Sequence, residues 1–221
     1  MYRNFVPAES LAFDIGSHNG NRVAAFRSLG ARVVAVEPQP LFARRLRRRY
    51  AKDPEVTVVE AAVGAEPGEA RLNIINSAPT LASLADDWLD GFREGHRQRL
   101  SWSDRVVVRL TTLDGLVSAY GEPAFVKLDV EGYELEALRG LSRPLSALSF
   151  EYLPARRELA GGCVHRLEEL GEYRYNYSRG ESMRFVLDQW IDAGEMLSIM
   201  EAMEPDETSG DIYALRRLPA R

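Results

Sequence analysis

Short apolar runs alternate with amphipathic stretches through the first sixty residues. Leu11 to Ile15 is apolar except for Asp14 and reads as a buried strand. Asn21 to Leu29 carries Val23, Ala24, Phe26 and Leu29 at helical spacing and stops at Gly30. Arg32 to Val36 reads as a second strand. Pro40 to Ala51 reads as a second helix, with Leu41, Phe42, Leu46 and Tyr50 on one side, and Glu55 to Glu60 as a third strand. Such β-α-β-α-β alternation predicts a doubly wound α/β fold, a mostly parallel sheet with helices on both faces.

Beyond residue 60 the pattern loosens. Ala61-Ala62-Val63-Gly64 follows the third strand, and Glu69 to Ile74 reads as an edge strand after the Pro67-Gly68 turn. Residues 76–104 mix Trp88, Phe92, His96 and Trp102 with many charges and read as a loop plus a short helix, a lid or insertion. Val106 to Leu110 is a short strand, and Thr111 or Thr112 caps a short helix. Ala124 to Leu128 is the next core strand, Tyr133 to Arg139 a helix ended by Gly140, Leu145 to Tyr152 a strand and Val164 to Leu170 a helix. Tyr173 to Tyr177, Arg184 to Leu187 and Ile212 to Leu215 are candidate final strands. Met196, Met200 and Met203 form the apolar stripe of a covering helix. The expectation is one domain over residues 1–221.

Composition narrows the chemistry. A net charge of −5 argues against strong attraction to nucleic acid or anionic membranes. One cysteine, Cys163, excludes a disulfide framework, and three scattered histidines give no zinc cluster with it. Residues 1–7 lack the layout of a signal peptide, and no apolar run reaches the roughly 18 residues that span a membrane, so a cytoplasmic protein is expected. Arg44, Arg45, Arg47, Arg48 and Arg49 read as a solvated helix face rather than a nucleic-acid patch.

The chemistry concentrates at strand ends. In Phe13-Asp14-Ile15-Gly16-Ser17-His18-Asn19-Gly20 a strand breaks into a glycine turn and then a helix. Asp14 is placed to orient water or bind an ammonium group. Gly16 and Gly20 let the backbone approach a ligand, and the helix start that follows suits a carboxylate. Glu37, before Pro38, ends the second strand about 20 residues on, where a carboxylate accepts hydrogen bonds from a ribose diol. Ala61 and Ala62 leave room for a flat base. Asp129 and Glu131 end a later strand, with Lys127 on the same face as Asp129; Glu151 ends the next strand. A cofactor that is nucleoside at one end and cationic at the other fits this set, and S-adenosylmethionine has that character. With only two carboxylates together, no metal is expected.

These segments, with Thr111-Thr112-Leu113-Asp114 and above all Val126-Lys127-Leu128-Asp129-Val130-Glu131-Gly132-Tyr133-Glu134, resemble the FkbM family of S-adenosylmethionine-dependent methyltransferases, over about residues 11–215. The resemblance implies a Rossmann-like, seven-stranded, mostly parallel sheet with one antiparallel strand near the C-terminus. It implies Asp14, Gly16 and Gly20 at the methionine end, Glu37 at the ribose, Ala62 at the adenine, Ser83 approaching the cofactor and Asp129 beside the methyl group or the substrate, with Ser17, His18, Pro38 and Ala61 also among the cofactor-binding residues. His18 stands where the family more often has asparagine. A hydroxyl of a small molecule, sugar or natural product is the implied acceptor, with Asp129 and then Glu131 as the catalytic carboxylates. The competing readings are an NAD-linked oxidoreductase, which shares the glycine turn and Glu37, and a non-catalytic cofactor-binding or assembly protein.

Overall fold

The structure is a computed structural model that describes residues 1–75, 77, 81–89 and 101–217. Ten strands and six helices are used below: β1 Leu11–Ile15, α1 Asn21–Ser28, β2 Arg32–Val36, α2 Pro40–Arg49, β3 Val56–Val59, β4 Ala62–Val63, β5 Gly68–Ile74, β6 Asp104–Thr111, α3 Leu113–Tyr120, β7 Phe125–Leu128, α4 Glu134–Arg139, β8 Ala147–Tyr152, α5 Arg157–Leu170, β9 Tyr173–Tyr177, α6 Ala193–Glu201 and β10 Gly210–Arg216.

Seven strands form the main sheet in the order β3-β2-β1-β7-β8-β10-β9. The first five run parallel, while β10 pairs antiparallel with both β8 and β9. That is the expected sheet, including its one reversed strand. The order changes direction at β1 and β7, so the turns after these two strands leave a crevice between them, where ligands of open α/β sheets bind.

Strand alternation sorts the core into two layers. Phe13, Ile15, Val34, Val36, Val126, Leu128, Leu148 and Phe150 face one way, onto α3 to α6 through Leu116, Leu138, Val164, Leu167, Met196 and Met200. Ala12, Val33, Ala35, Phe125 and Tyr213 face the other way, onto Val23 and Phe26 of α1 and Leu46 of α2. This second layer also takes Tyr2, Phe5 and Val6 from the N-terminal segment, with the Phe5 ring stacked 5.1 Å from Phe125. The aromatic plug carries no periodic signal, and sequence reading passed over it.

Several local expectations need correction. β5 and β6 do not join the main sheet; with β4 they make a separate three-stranded sheet, β4-β6-β5. Alternating burial along β6 is the pattern of a strand with one wet face, which a central parallel strand does not have. Arg184 to Leu187 form no strand. α5 begins seven residues earlier than expected, because Gly161 and Gly162 dilute the helical signal in its first half. Leu41 is exposed, and α2 buries Phe42, Ala43 and Leu46 instead. The α3 cap is Thr112, whose hydroxyl accepts the Gly115 N–H at 3.0 Å. Phe92 and His96, in the segment read as a lid, lie outside the described residues. No described helix is long and apolar enough to cross a membrane.

Candidate active site

Two adjoining spaces open at the carboxyl ends of β1, β2 and β7. The first is an apolar pocket with about 520 Å³ of empty space, part of it open to solvent, walled by Ile15, Val36, Ala61, Ala62, Val63, Leu72, Ala82 and Leu84 and lined also by Glu37, Pro38, Asp129 and Glu131. The second is a polar cleft with about 1000 Å³ of open space, lined by residues 16–19, Asn21, Arg22, Asp129, Glu131, Glu151 and Glu181. Gly16, His18, Asp129 and Glu131 belong to both. A ligand with a flat apolar end and a charged end would thus find both environments in sequence.

The turn after β1 is held from two sides. The Gly16 and Ser17 N–H groups donate to Val36 O at 2.9 and 3.0 Å, and the Asp129 N–H donates to Ile15 O at 2.9 Å. This stitching brings Gly16 against the end of β7. Its φ is +83°, and a Cβ there would lie 1.8 Å from the Asp129 carbonyl oxygen, so only glycine fits. Gly132 is the second such point, with φ +88° and a would-be Cβ 2.2 Å from the Trp88 ring.

Glu37 is buried yet fully engaged. Its carboxylate accepts the His18 N–H and the Gln39 N–H, each at 2.8 Å. Burial pushes its pKa up to about 7 despite these two bonds. A carboxylate oxygen can accept more than one hydrogen bond, and Glu37 also lines the cavity. The His18 ring, 3.9 Å from the Phe42 ring centroid, has a buried Nε2 with no partner and a pKa lowered by burial and by Arg45.

Acids gather where the two spaces meet. Carboxylate oxygens of Asp129, Glu131 and Glu151 lie within 4.8 Å of one another. Sequence reading found two of these side by side; the third arrives from β8, and only the sheet order brings it near. A set of three carboxylates is also a geometry that suits a divalent cation. Glu131 is fixed by a backbone φ of +53°, by Trp88 Nε1 donating to its Oε2 at 3.1 Å and by Ser83 Oγ donating to its carbonyl at 2.5 Å. Burial, then the charges of its neighbours, push Glu131 and Glu151 well above the usual carboxylate range. Glu134 accepts the Val130 N–H at 3.0 Å and braces the same turn; burial raises it to about 7.

Lys127 lies beneath this cluster, 1% exposed, with Nζ 3.1 Å from Asp129 and 2.9 Å from Asp211 of β10. Burial opposes its charge, but Asp129 and Asp211 outweigh burial and hold it protonated well above the usual lysine value. Asp14 is its register partner on β1, is fully buried, and has an Oδ2 with no hydrogen-bond partner. Burial raises Asp14 to about 6, against the pull of Lys127.

The sequence candidates therefore divide. Gly16, His18, Glu37, Pro38, Ala61, Ala62, Asp129 and Glu131 line the apolar cavity, and Ser17 lines the cleft. Asp14, Gly20 and Ser83 line neither space. Asp14 sits under the turn, Gly20 packs on Leu46 of α2, and Ser83 props up Glu131. Trp88 also lines neither space; it supports Glu131, and Trp102 donates to the Asp86 carbonyl. Leu72, Ala82, Leu84 and Tyr133 were missed, and so was Arg22. Those from the second sheet and the segment after it had no local signal; Tyr133, inside the Asp129–Glu134 motif, could have been found.

Residues 14–202 match the sequence model of the Methyltransferase FkbM domain. The chain belongs to that family. This FkbM-domain protein is therefore an S-adenosylmethionine-dependent methyltransferase, which removes the nicotinamide reading. No curated protein matches its sequence. Among solved structures it is similar to the precorrin-6Y C5,15-methyltransferase of Geobacter metallireducens GS-15, at 12% identity and TM-score 0.51, over 96% of this chain and 82% of that one. It also aligns with Aeropyrum pernix fibrillarin in complex with natively bound S-adenosylmethionine (10% identity, TM-score 0.49, 96% and 68% coverage). An rRNA methylase of Streptococcus thermophilus aligns at 12% identity and TM-score 0.49, with 97% and 91% coverage. At these identities the likeness is one of fold.

The residues present fit the family's cofactor. The apolar cavity opens at the carboxyl ends of the strands beside the switch point of the sheet, where open α/β folds bind their ligands. Gly16 keeps the backbone bare where a Cβ could not stand, and Glu37, Asp129 and Glu131 bring carboxylates to an otherwise apolar lining.

Proposed function

We propose that the FkbM-domain methyltransferase transfers a methyl group to a hydroxyl of a small molecule, sugar or natural product. The observation that carries this reading is the carboxylate group Asp129, Glu131 and Glu151 at the junction of the apolar cavity and the polar cleft. A hydroxyl acceptor needs a partner for its proton as it attacks, and carboxylates at that junction are placed to supply one.

When bound, S-adenosylmethionine supplies a methyl carbon already activated by positive sulfur. Ala61 and Ala62 take the flat base, and Glu37 accepts from the ribose diol. Gly16, Ser17 and His18 follow the cofactor toward its amino-acid end. Asp129, anchored by Lys127, receives the acceptor proton; Glu131, fixed by Trp88 and Ser83, positions the hydroxyl. The closeness of the cleft to the cavity favours alignment of acceptor and methyl group, the main source of rate in such a displacement.

The test is methyl transfer from labelled S-adenosylmethionine to a panel of polyols, glycosides, phenols and amines, with Asp129→Asn alongside the native protein. Transfer to hydroxyl acceptors that falls by about tenfold or more in the variant, with the fold retained, is expected. Transfer confined to amines, or equal turnover by the variant, would refute it.

A further inference from the structure

The amino-acid end of the cofactor carries an ammonium and a carboxylate, and the polar cleft offers them very unequal partners. Four acids line it, Asp129, Glu131, Glu151 and Glu181. Among the described residues that line the cavity or the cleft, Arg22 is the only lysine or arginine. It is the second residue of α1, directly after the glycine turn, and its guanidinium rests 5.9 Å over the Tyr2 ring.

Arg22 already holds a carboxylate. Its Nη2 donates to Glu181 Oε2 at 2.5 Å. The two ends of this pair differ sharply: the Arg22 side chain is 21% exposed and the Glu181 side chain 79%. Glu181 belongs to the segment after β9, and its carboxylate reaches into the cleft from the solvent side. An exposed acid gains little from such a pairing, whereas the arginine is fixed by its helix and by the ring beneath it.

We propose that Arg22 is the residue that binds the α-carboxylate of the cofactor, and that Glu181 occupies it in the ligand-free protein as an internal substitute that the cofactor displaces. This rests on the reading of the two spaces as the S-adenosylmethionine site. It adds one binding residue and one competitor that the sequence motifs do not contain.

The proposal makes two variants move in opposite directions. Arg22→Ala removes a charge-assisted bond to the ligand carboxylate. Glu181→Gln removes the competing carboxylate and leaves the arginine in place. Two ligands separate the tail from the rest: S-adenosylhomocysteine carries the amino-acid group, and 5′-methylthioadenosine lacks it.

Isothermal calorimetry on the full chain reads all of this. Arg22→Ala weakens S-adenosylhomocysteine by about tenfold or more, and Arg22→Lys by less. Glu181→Gln tightens it by roughly threefold, the scale of one exposed ion pair. Neither change alters 5′-methylthioadenosine affinity. Arg22→Lys and Glu181→Gln keep the test valid should Arg22→Ala fail to fold. Unchanged S-adenosylhomocysteine affinity in the arginine variants, equal losses for both ligands, or weaker binding by Glu181→Gln would overturn the proposal. Native protein that binds neither ligand would instead overturn the cofactor site itself.

Discussion

The backbone N–H of His18 donates to the Glu37 carboxylate at 2.8 Å, which ties the acid at the end of β2 to the turn after β1. The two motifs that a nucleoside ligand needs are thus one mechanical unit. Glu37 is raised by burial from 4.5 to about 7, so the fold favours its protonated form. Its contribution to stability is present at acid pH and is lost as pH rises from about 4.5 through about 7. Ribose hydroxyls donate to the ionised form, so cofactor binding has the opposite sign. S-adenosylhomocysteine affinity is expected to rise about tenfold between pH 6 and 8 and to flatten in Glu37→Gln. Calorimetry across that range checks it. Equal slopes in the two proteins would remove Glu37 from ligand binding.

Gly16 tolerates no side chain. In Gly16→Ala the new methyl collides with the Asp129 carbonyl, and φ +83° is costly for any residue with a Cβ. A stability loss of about 2 kcal/mol or more is expected, together with loss of cofactor binding. Urea unfolding and calorimetry measure the two effects. A variant as stable as the native chain would show that the turn and β7 do not meet as described.

Much of this was legible in the sequence because it is local. Strand runs, the glycine turn, Glu37 and the Lys127–Glu131 stretch each declare themselves within a few residues. The reversed strand β10 was expected through the family resemblance rather than read from its residues. What stayed hidden depends on sheet order. Glu151 meets Asp129 because β8 lies beside β7, and Asp211 meets Lys127 because β10 runs antiparallel next to β8. Arg22 has no local signal that separates it from the chain's other arginines. Ser83 and Asp14 were read as ligand contacts by their position in motifs; both are buried and line neither space.

Lys127 ties the site to the far half of the sheet. Lys127→Met leaves Asp211 buried without a counter-charge and Asp129 without its anchor. Breaking a buried pair from one side costs about 3 to 5 kcal/mol. A comparable drop in unfolding free energy at neutral pH is expected. A loss below about 1 kcal/mol would show that the ammonium is replaceable and that β10 does not depend on it.

Removal of divalent cations should leave methyl transfer unchanged. The three clustered carboxylates relieve their repulsion through Lys127 on Asp129 and through the raised proton affinity of Glu131 and Glu151. Activity after EDTA treatment, with and without added Mg²⁺, checks this. A loss restored by Mg²⁺ would assign a cation to Asp129, Glu131 and Glu151.

The most direct measurement is a crystal structure with S-adenosylhomocysteine. The ribose diol should lie on Glu37, the base against Ala61 and Ala62, and the sulfur beside Asp129 at the mouth of the polar cleft. Electron density for the ligand elsewhere, or a soaked crystal with this cavity empty, would contradict the assignment of the site.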